Sequence, residues 1–146
     1  MWHDLVMDRE ALLAFMTREF PQERTFGGVV EHLEPGRLRM RKPVGEANLR
    51  PGGTVSGPTM MTLVDTAFYW LVLAMVGPKA LAVTTHLSID FMRRPEEGDL
   101  VADAEMLKLG RSLAVGRVTV FSGQAAGPVA HATITYAIPP ERPSGG

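Results

Sequence analysis

The segment from Pro58 to Val76 constrains the fold more than any other part of the chain. It carries a single charge, Asp65, and is wholly uncharged from Ala67 to Val76. That is about the length of a membrane-crossing helix. Asp65 and three threonines (Thr59, Thr62 and Thr66) lie in it, and no polybasic flank follows. The expected state is therefore a helix buried in a protein core rather than in lipid. Gly57-Pro58 suits its start and Gly77-Pro78 its stop. A helix that is apolar on nearly all sides must be covered on nearly all sides.

The rest of the chain supplies the cover. Asp8 to Phe20 reads as an amphipathic helix, capped by Asp8 and ended by Pro21. Gly27–Leu33 and Arg37–Arg41 read as strands about the turn Glu34-Pro35-Gly36-Arg37. Gly45–Gly53 has no apolar periodicity and reads as a loop. Leu81–Met92 alternates, which predicts Val83, Thr85, Leu87, Ile89 and Phe91 on one face, with Thr84, His86, Ser88 and Asp90 on the other. Asp99–Leu109, Ser112–Ser122 and Pro128–Ile138 follow. The turn signals between them are Pro95-Glu96-Glu97-Gly98, Gly110-Arg111 and Gly123–Gly127. Three or four consecutive strands then form an antiparallel meander. The expected class is α+β, a curved antiparallel sheet around a long central helix, with an N-terminal helix. One sheet covers only part of the helix and leaves edges, so oligomerisation is expected. Residues 1–138 form one domain and 139–146 a frayed tail.

Composition narrows the chemistry. There is no cysteine among the 146 residues, so no thiol nucleophile, disulfide or Cys-ligated metal. Fifteen Lys and Arg against sixteen Asp and Glu lack the basic footprint of a nucleic-acid binder. No HxH or HExxH spacing suggests a metal, and His86 and His131 stand alone on strands. The first residues, MWHDLVMDRE, hold no apolar stretch of a signal peptide, so a cytoplasmic protein without a membrane partner is expected.

Two features of Asn48–Asp65 bear on function. The Gly57 N–H, at a helix start, has no intrahelical partner, and such a donor can stabilise an oxyanion. Asp65 is a carboxylate in apolar surroundings, which is costly without a reason. The two are eight residues apart, about 12 Å along a helix at roughly 1.5 Å per residue. Reacting atoms must come within about 3–3.5 Å. If both act on one substrate, they come from different subunits.

The segment resembles the hotdog-fold acyl-CoA thioesterases, in particular their phenylacetate-pathway branch. That family reads His-Gly-Gly, a few residues, then Leu-x-Asp early in a long helix. The matching residues are Ser56-Gly57-Pro58 and Leu63-Val64-Asp65, with Thr66-Ala67 following. Lys108-Leu109-Gly110-Arg111-Ser112-Leu113-Ala114 matches the family's Lys-x-Gly-Arg hairpin, and Thr84 falls where it carries a hydroxyl residue. Ser56 replaces the family's histidine and Pro58 its second glycine, and the loop from Asn48 to Gly57 is two residues longer. The resemblance implies hydrolysis of an acyl-CoA thioester. Asp65 is then nucleophile or general base, the Gly57 N–H holds the thioester oxygen, and Thr84 and Asn48 place the water. Coenzyme A is part of the substrate, and no separate cofactor or metal is implied. Candidate substrate contacts are Ser56, Met61, and the matched hairpin residues Lys108, Gly110, Arg111 and Ser112. Arg93 and Arg94 join them, since guanidinium suits phosphate. The resemblance also implies a homodimer or homotetramer with the site between subunits. Three alternatives stay open: an acyl-CoA binding or sensing module without turnover, a hydratase or dehydratase, and an interaction domain without catalysis. Aromatic and medium-chain acyl groups are the candidates.

Overall fold

A computed structural model describes residues 1–21, 26–95, 98–123 and 127–140. Parts of the predicted turns at 96–97 and 124–126, and residues 141–146 of the expected tail, lie outside the described residues.

The chain runs α1 (Arg9–Glu19), β1 (Val29–Glu34), β2 (Arg37–Lys42), β3 (Leu49–Arg50), β4 (Thr54–Val55), α2 (Gly57–Val76), β5 (Val83–Phe91), β6 (Leu100–Leu109), β7 (Leu113–Ser122) and β8 (Ala130–Ala137). Both predicted helix starts are capped by side chains. Asp8 Oδ1 accepts from Ala11 N–H at 2.9 Å, and Ser56 caps α2. Between β1 and β2, Pro35 and Gly36 make the turn, with Gly36 at φ 80°, a backbone that favours glycine.

Six strands form one antiparallel sheet in the order β1-β2-β6-β7-β8-β5. The expected meander is present as the three consecutive strands β6, β7 and β8. The expected fourth member is corrected: β5 does not adjoin β6 but pairs with β8 on the far side of that group. After α2 crosses the face of the sheet, β5 takes the free edge beside β8, which turn signals cannot reveal. The 45–53 loop also holds order that periodicity missed: a 3-10 turn over Glu46–Asn48, then the β3–β4 ribbon.

Helix α2 packs on β2, β5, β6, β7 and β8 from one side and α1 from another. Every residue from Thr66 to Met75 is buried. The inward faces of the central strands carry small residues at Ala102, Ala104, Ala114, Gly116, Ala130 and Ala132. They leave room for the large side chains of α2, among which Phe68, Leu71 and Leu73 are fully buried. The N-terminal segment closes the far end of the helix. The Val6 and Met7 N–H groups donate to the Ala74 carbonyl, and His3 Nε2 lies 2.8 Å from the Met75 oxygen. Carbonyls of the last helical turn, which lack intrahelical donors, are thereby satisfied.

The cover is incomplete at the start of α2. Pro58, Met61 and Thr62 are exposed and Asp65 half-buried, a stripe at helical spacing. Beside it runs β5, an edge strand with exposed Val83 and Phe91.

Candidate active site

Asp65 lies on the third turn of α2, where the exposed stripe meets the buried run. Its Oδ1 accepts from two hydroxyls: Tyr136 Oη at 2.6 Å and Thr84 Oγ1 in a short hydrogen bond. Thr84 of β5 and Tyr136 of β8 are directly paired residues of neighbouring strands. Their side chains therefore stand together on the face turned to α2.

Strict alternation would not bring Thr84 there. It would set Thr84 on the face opposite Leu87 and Ile89, which pack against the core. The register between β5 and β8 shifts between Thr84 and His86. One extra residue reverses the facing of all that precedes it, so Thr84 joins Leu87 and Ile89 on the helix side. The predicted grouping of Thr84 with His86, Ser88 and Asp90 is thus corrected by a bulge.

Tyr136 was not among the sequence candidates. Its signal was present: Ala130, Ala132, Ile134 and Tyr136 alternate onto the buried face, and a buried phenol needs a partner for its hydroxyl. The ring stacks on Tyr69 at 5.8 Å and meets Phe68 at 5.7 Å. Burial, then the Asp65 charge, push the Tyr136 phenol well above its ordinary pKa, so it stays protonated and donates. Phe68, Tyr69 and Trp70 are all core residues.

The other catalytic candidates gather two turns away. Ser56 accepts the Thr59 N–H at 3.2 Å and bonds the Thr59 hydroxyl at 2.8 Å. Its hydroxyl serves the helix cap, and Gly57 is the first helical residue rather than the cap. Thr59 takes the cap and Pro58 has no N–H, while the Gly57 N–H has no partner among the described residues. The Phe91 ring stands over Gly57, 3.4 Å from where a Cβ would lie. Asn48 folds against this start: its carbonyl accepts from Ser56 N–H at 2.9 Å, and its side-chain oxygen accepts from Gly45 N–H at 2.8 Å. The four candidates thus form two pairs, Asp65 with Thr84 and Gly57 with Asn48, about 12 Å apart by helical rise. Ser56→Ala is expected to cost about 1 kcal/mol of stability through the lost cap, read as a lower midpoint in thermal unfolding.

The candidate substrate contacts also divide. Arg94 Nη2 reaches the Gly52 carbonyl at 3.4 Å, and Arg93 Nη1 donates to the Pro128 carbonyl at 2.8 Å, both from the end of β5 nearest Gly57. Lys108 lies near the end of β6, and Gly110, Arg111 and Ser112 form the β6–β7 turn. There a cleft lined by Val76, Lys79, Gly110, Arg111 and Ile138 adjoins the opposite end of α2. Met61 is exposed one turn before Asp65, whereas Met60 belongs to the core.

Comparison with known proteins agrees with this architecture. The thioesterase superfamily model matches residues 52–136, which include Gly57, Asp65, Thr84 and Tyr136. A provisionally named esterase of Halobacterium salinarum is 33% identical over 120 residues, covering 78% of this chain and 72% of that protein. A crystal structure of a provisionally named thioesterase from Silicibacter sp. TM1040 is 51% identical, with TM-score 0.85, covering 93% of this chain and 94% of that one. Another, from Ralstonia eutropha JMP134, is of a provisionally named thioesterase described as related to phenylacetic acid degradation. It is 25% identical with TM-score 0.74, covering 85% of this chain and 98% of that one. With its long helix held in an antiparallel sheet and its carboxylate on that helix, the chain has the hotdog fold and belongs to the thioesterase superfamily.

Proposed function

We propose that the protein hydrolyses the thioester of an acyl-CoA, with Asp65 as the base or nucleophile. The observation that carries this reading is a carboxylate on an otherwise apolar helix, held by two hydroxyls and open to the outside on the exposed stripe. In the base form, Asp65 takes a proton from water and the water oxygen bonds to the carbonyl carbon. The Gly57 N–H donates to the oxyanion as it forms. When the C–S bond breaks, the sulfur leaves as the thiol, taking the proton. Water is the only co-reactant, and coenzyme A enters as part of the substrate. A soluble substrate of this kind fits a cytoplasmic enzyme with neither nucleic acid nor membrane as partner.

The separation of Gly57 from Asp65 favours a site shared by two copies of the chain. A second copy laid antiparallel along the exposed edge of β5 covers the stripe of α2. It sets the Gly57 end of one helix beside the later turns of the other. Each site then takes Asp65 and Thr84 from one subunit and Gly57 and Asn48 from its partner. In this reading Arg93 and Arg94, with Lys108 and Arg111, receive the phosphates of coenzyme A. Met61 meets the acyl chain, aromatic or medium-length, and Ser56, Gly110 and Ser112 shape the entrance.

A panel of acyl-CoA esters assayed for thiol release tests the activity, with Asp65→Asn as control. Tight binding of an ester without turnover would replace this reading with a non-hydrolytic acyl-CoA binding module. The shared site has its own test. Gly57→Pro removes the donor, and Ser56 already has the extended backbone that a residue before proline needs (φ −71°, ψ 149°). Since position 57 itself precedes Pro58, thermal unfolding checks that the variant keeps its helix start. Mixing Gly57→Pro chains with Asp65→Asn chains is expected to restore up to about a quarter of wild-type activity, because half the dimers are mixed and each holds one intact site. Verified mixed dimers without recovered activity would refute the shared site.

A further inference from the structure

We propose that Thr84 and Tyr136 together clamp one oxygen of the Asp65 carboxylate, Oδ1, and so reserve Oδ2 as the oxygen that meets the attacking water or the substrate. Tyr136 is then a positioning residue of the site. The inference rests on Asp65 being the reactive carboxylate and adds which of its atoms reacts and what aims it.

The geometry is specific. Both hydroxyls converge on Oδ1, while Oδ2 has no hydrogen-bond partner among the described residues. The donors come from two strands and the acceptor from the helix between them and the exterior, so the carboxylate cannot rotate without losing both bonds. Tyr136 Oη also reaches the Asp65 backbone carbonyl at 3.3 Å, which sets its hydroxyl against the helix. The Tyr136 ring is itself fixed. It is 3% exposed, stacked on Tyr69 and in contact with Phe68. Tyr69 in turn donates its hydroxyl to the Ala80 carbonyl at 3.0 Å. Thr84 is turned inward by the bulge that reverses the facing of β5. Phenylalanine would fill the position of Tyr136 equally well, so core packing alone does not call for the hydroxyl.

A clamp of this kind acts in two ways. It holds the reactive oxygen in one orientation, and it keeps the other oxygen occupied by protein donors. Removing one donor should therefore lower turnover more than binding.

Tyr136→Phe removes the hydroxyl and keeps the ring. On an acyl-CoA that the wild type hydrolyses, kcat is expected to fall about 10- to 100-fold, the scale of a hydrogen bond to a charged group, with KM changed less than about twofold. Thr84→Val should lower kcat in the same way, again with KM changed less than about twofold, and Thr84→Ser, which keeps the hydroxyl, should restore it. A Tyr136→Phe protein with wild-type kcat would overturn the clamp, even if its thermal midpoint falls. Should Tyr136→Phe fail to fold, the Thr84→Val and Thr84→Ser pair decides, and a Thr84→Val protein indistinguishable from wild type overturns it. Retained hydrolysis in Asp65→Asn would instead remove Asp65 as the reactive group. An inactive Asp65→Asn beside an unaffected Tyr136→Phe removes only the clamp.

Discussion

Asp65→Asn is expected to lower kcat for thioester hydrolysis by about 10²- to 10⁴-fold while leaving the fold intact. Asparagine has the shape of aspartate, and its carbonyl oxygen can still accept from Thr84 and Tyr136. What it loses is the charge and the ability to accept a proton from water. The chain has no cysteine, so no thiol can take over attack on the thioester. The measurement is steady-state thiol release by the purified variant beside wild type, with thermal unfolding as the check on folding. A fall in kcat with an unchanged unfolding midpoint assigns the loss to chemistry. Activity within about threefold of wild type would remove Asp65 from the reaction, since general acid–base catalysis is worth far more than that.

The largest loss of stability is expected at Gly116, in the core beneath α2. Gly116 lies on β7 opposite Met106. A Cβ there would collide with the ring of Phe68 and come within 2.5 Å of the Glu105 carbonyl oxygen. Neither neighbour can yield: Phe68 is fully buried on α2, and the Glu105 carbonyl belongs to the adjoining strand. Gly116→Ala should therefore cost about 3 kcal/mol, the upper part of the range for overpacked cores. At roughly 2–4 °C per kcal/mol for a domain of this size, the thermal midpoint should fall by about 6–12 °C. Gly45→Ala is the control. A Cβ there meets only Asn48 Oδ1, at 3.9 Å, so the change should stay within about 0.5 kcal/mol. Equal midpoints for the two variants would show that the sheet shifts to admit the methyl group.

Much of this was legible in the residues, and the reasons differ by element. Helix α2 follows from composition: a run with one charge, opened by Gly57-Pro58 and closed by Gly77-Pro78, has few other options. Asp65 stood out because a carboxylate in such a run is costly. Thr84 came from family resemblance, whereas its own strand pattern pointed it the wrong way. Tyr136 was missed because nothing local distinguishes it from any inward-facing aromatic residue of a strand.

Sequence by itself determined the local states and their chemistry: which segments are helix or strand, where caps and turns fall, that no thiol is available and that one acid sits in an apolar helix. These depend on residues within a few positions of one another, and periodicity records them. Only the tertiary structure decided that β5 returns to pair with β8, that a bulge turns Thr84 to the helix, and that Tyr136 meets Asp65 across 71 positions. Such contacts depend on strand order and register. A single extra residue reverses a strand's faces, and neither strand order nor register is written in any local pattern.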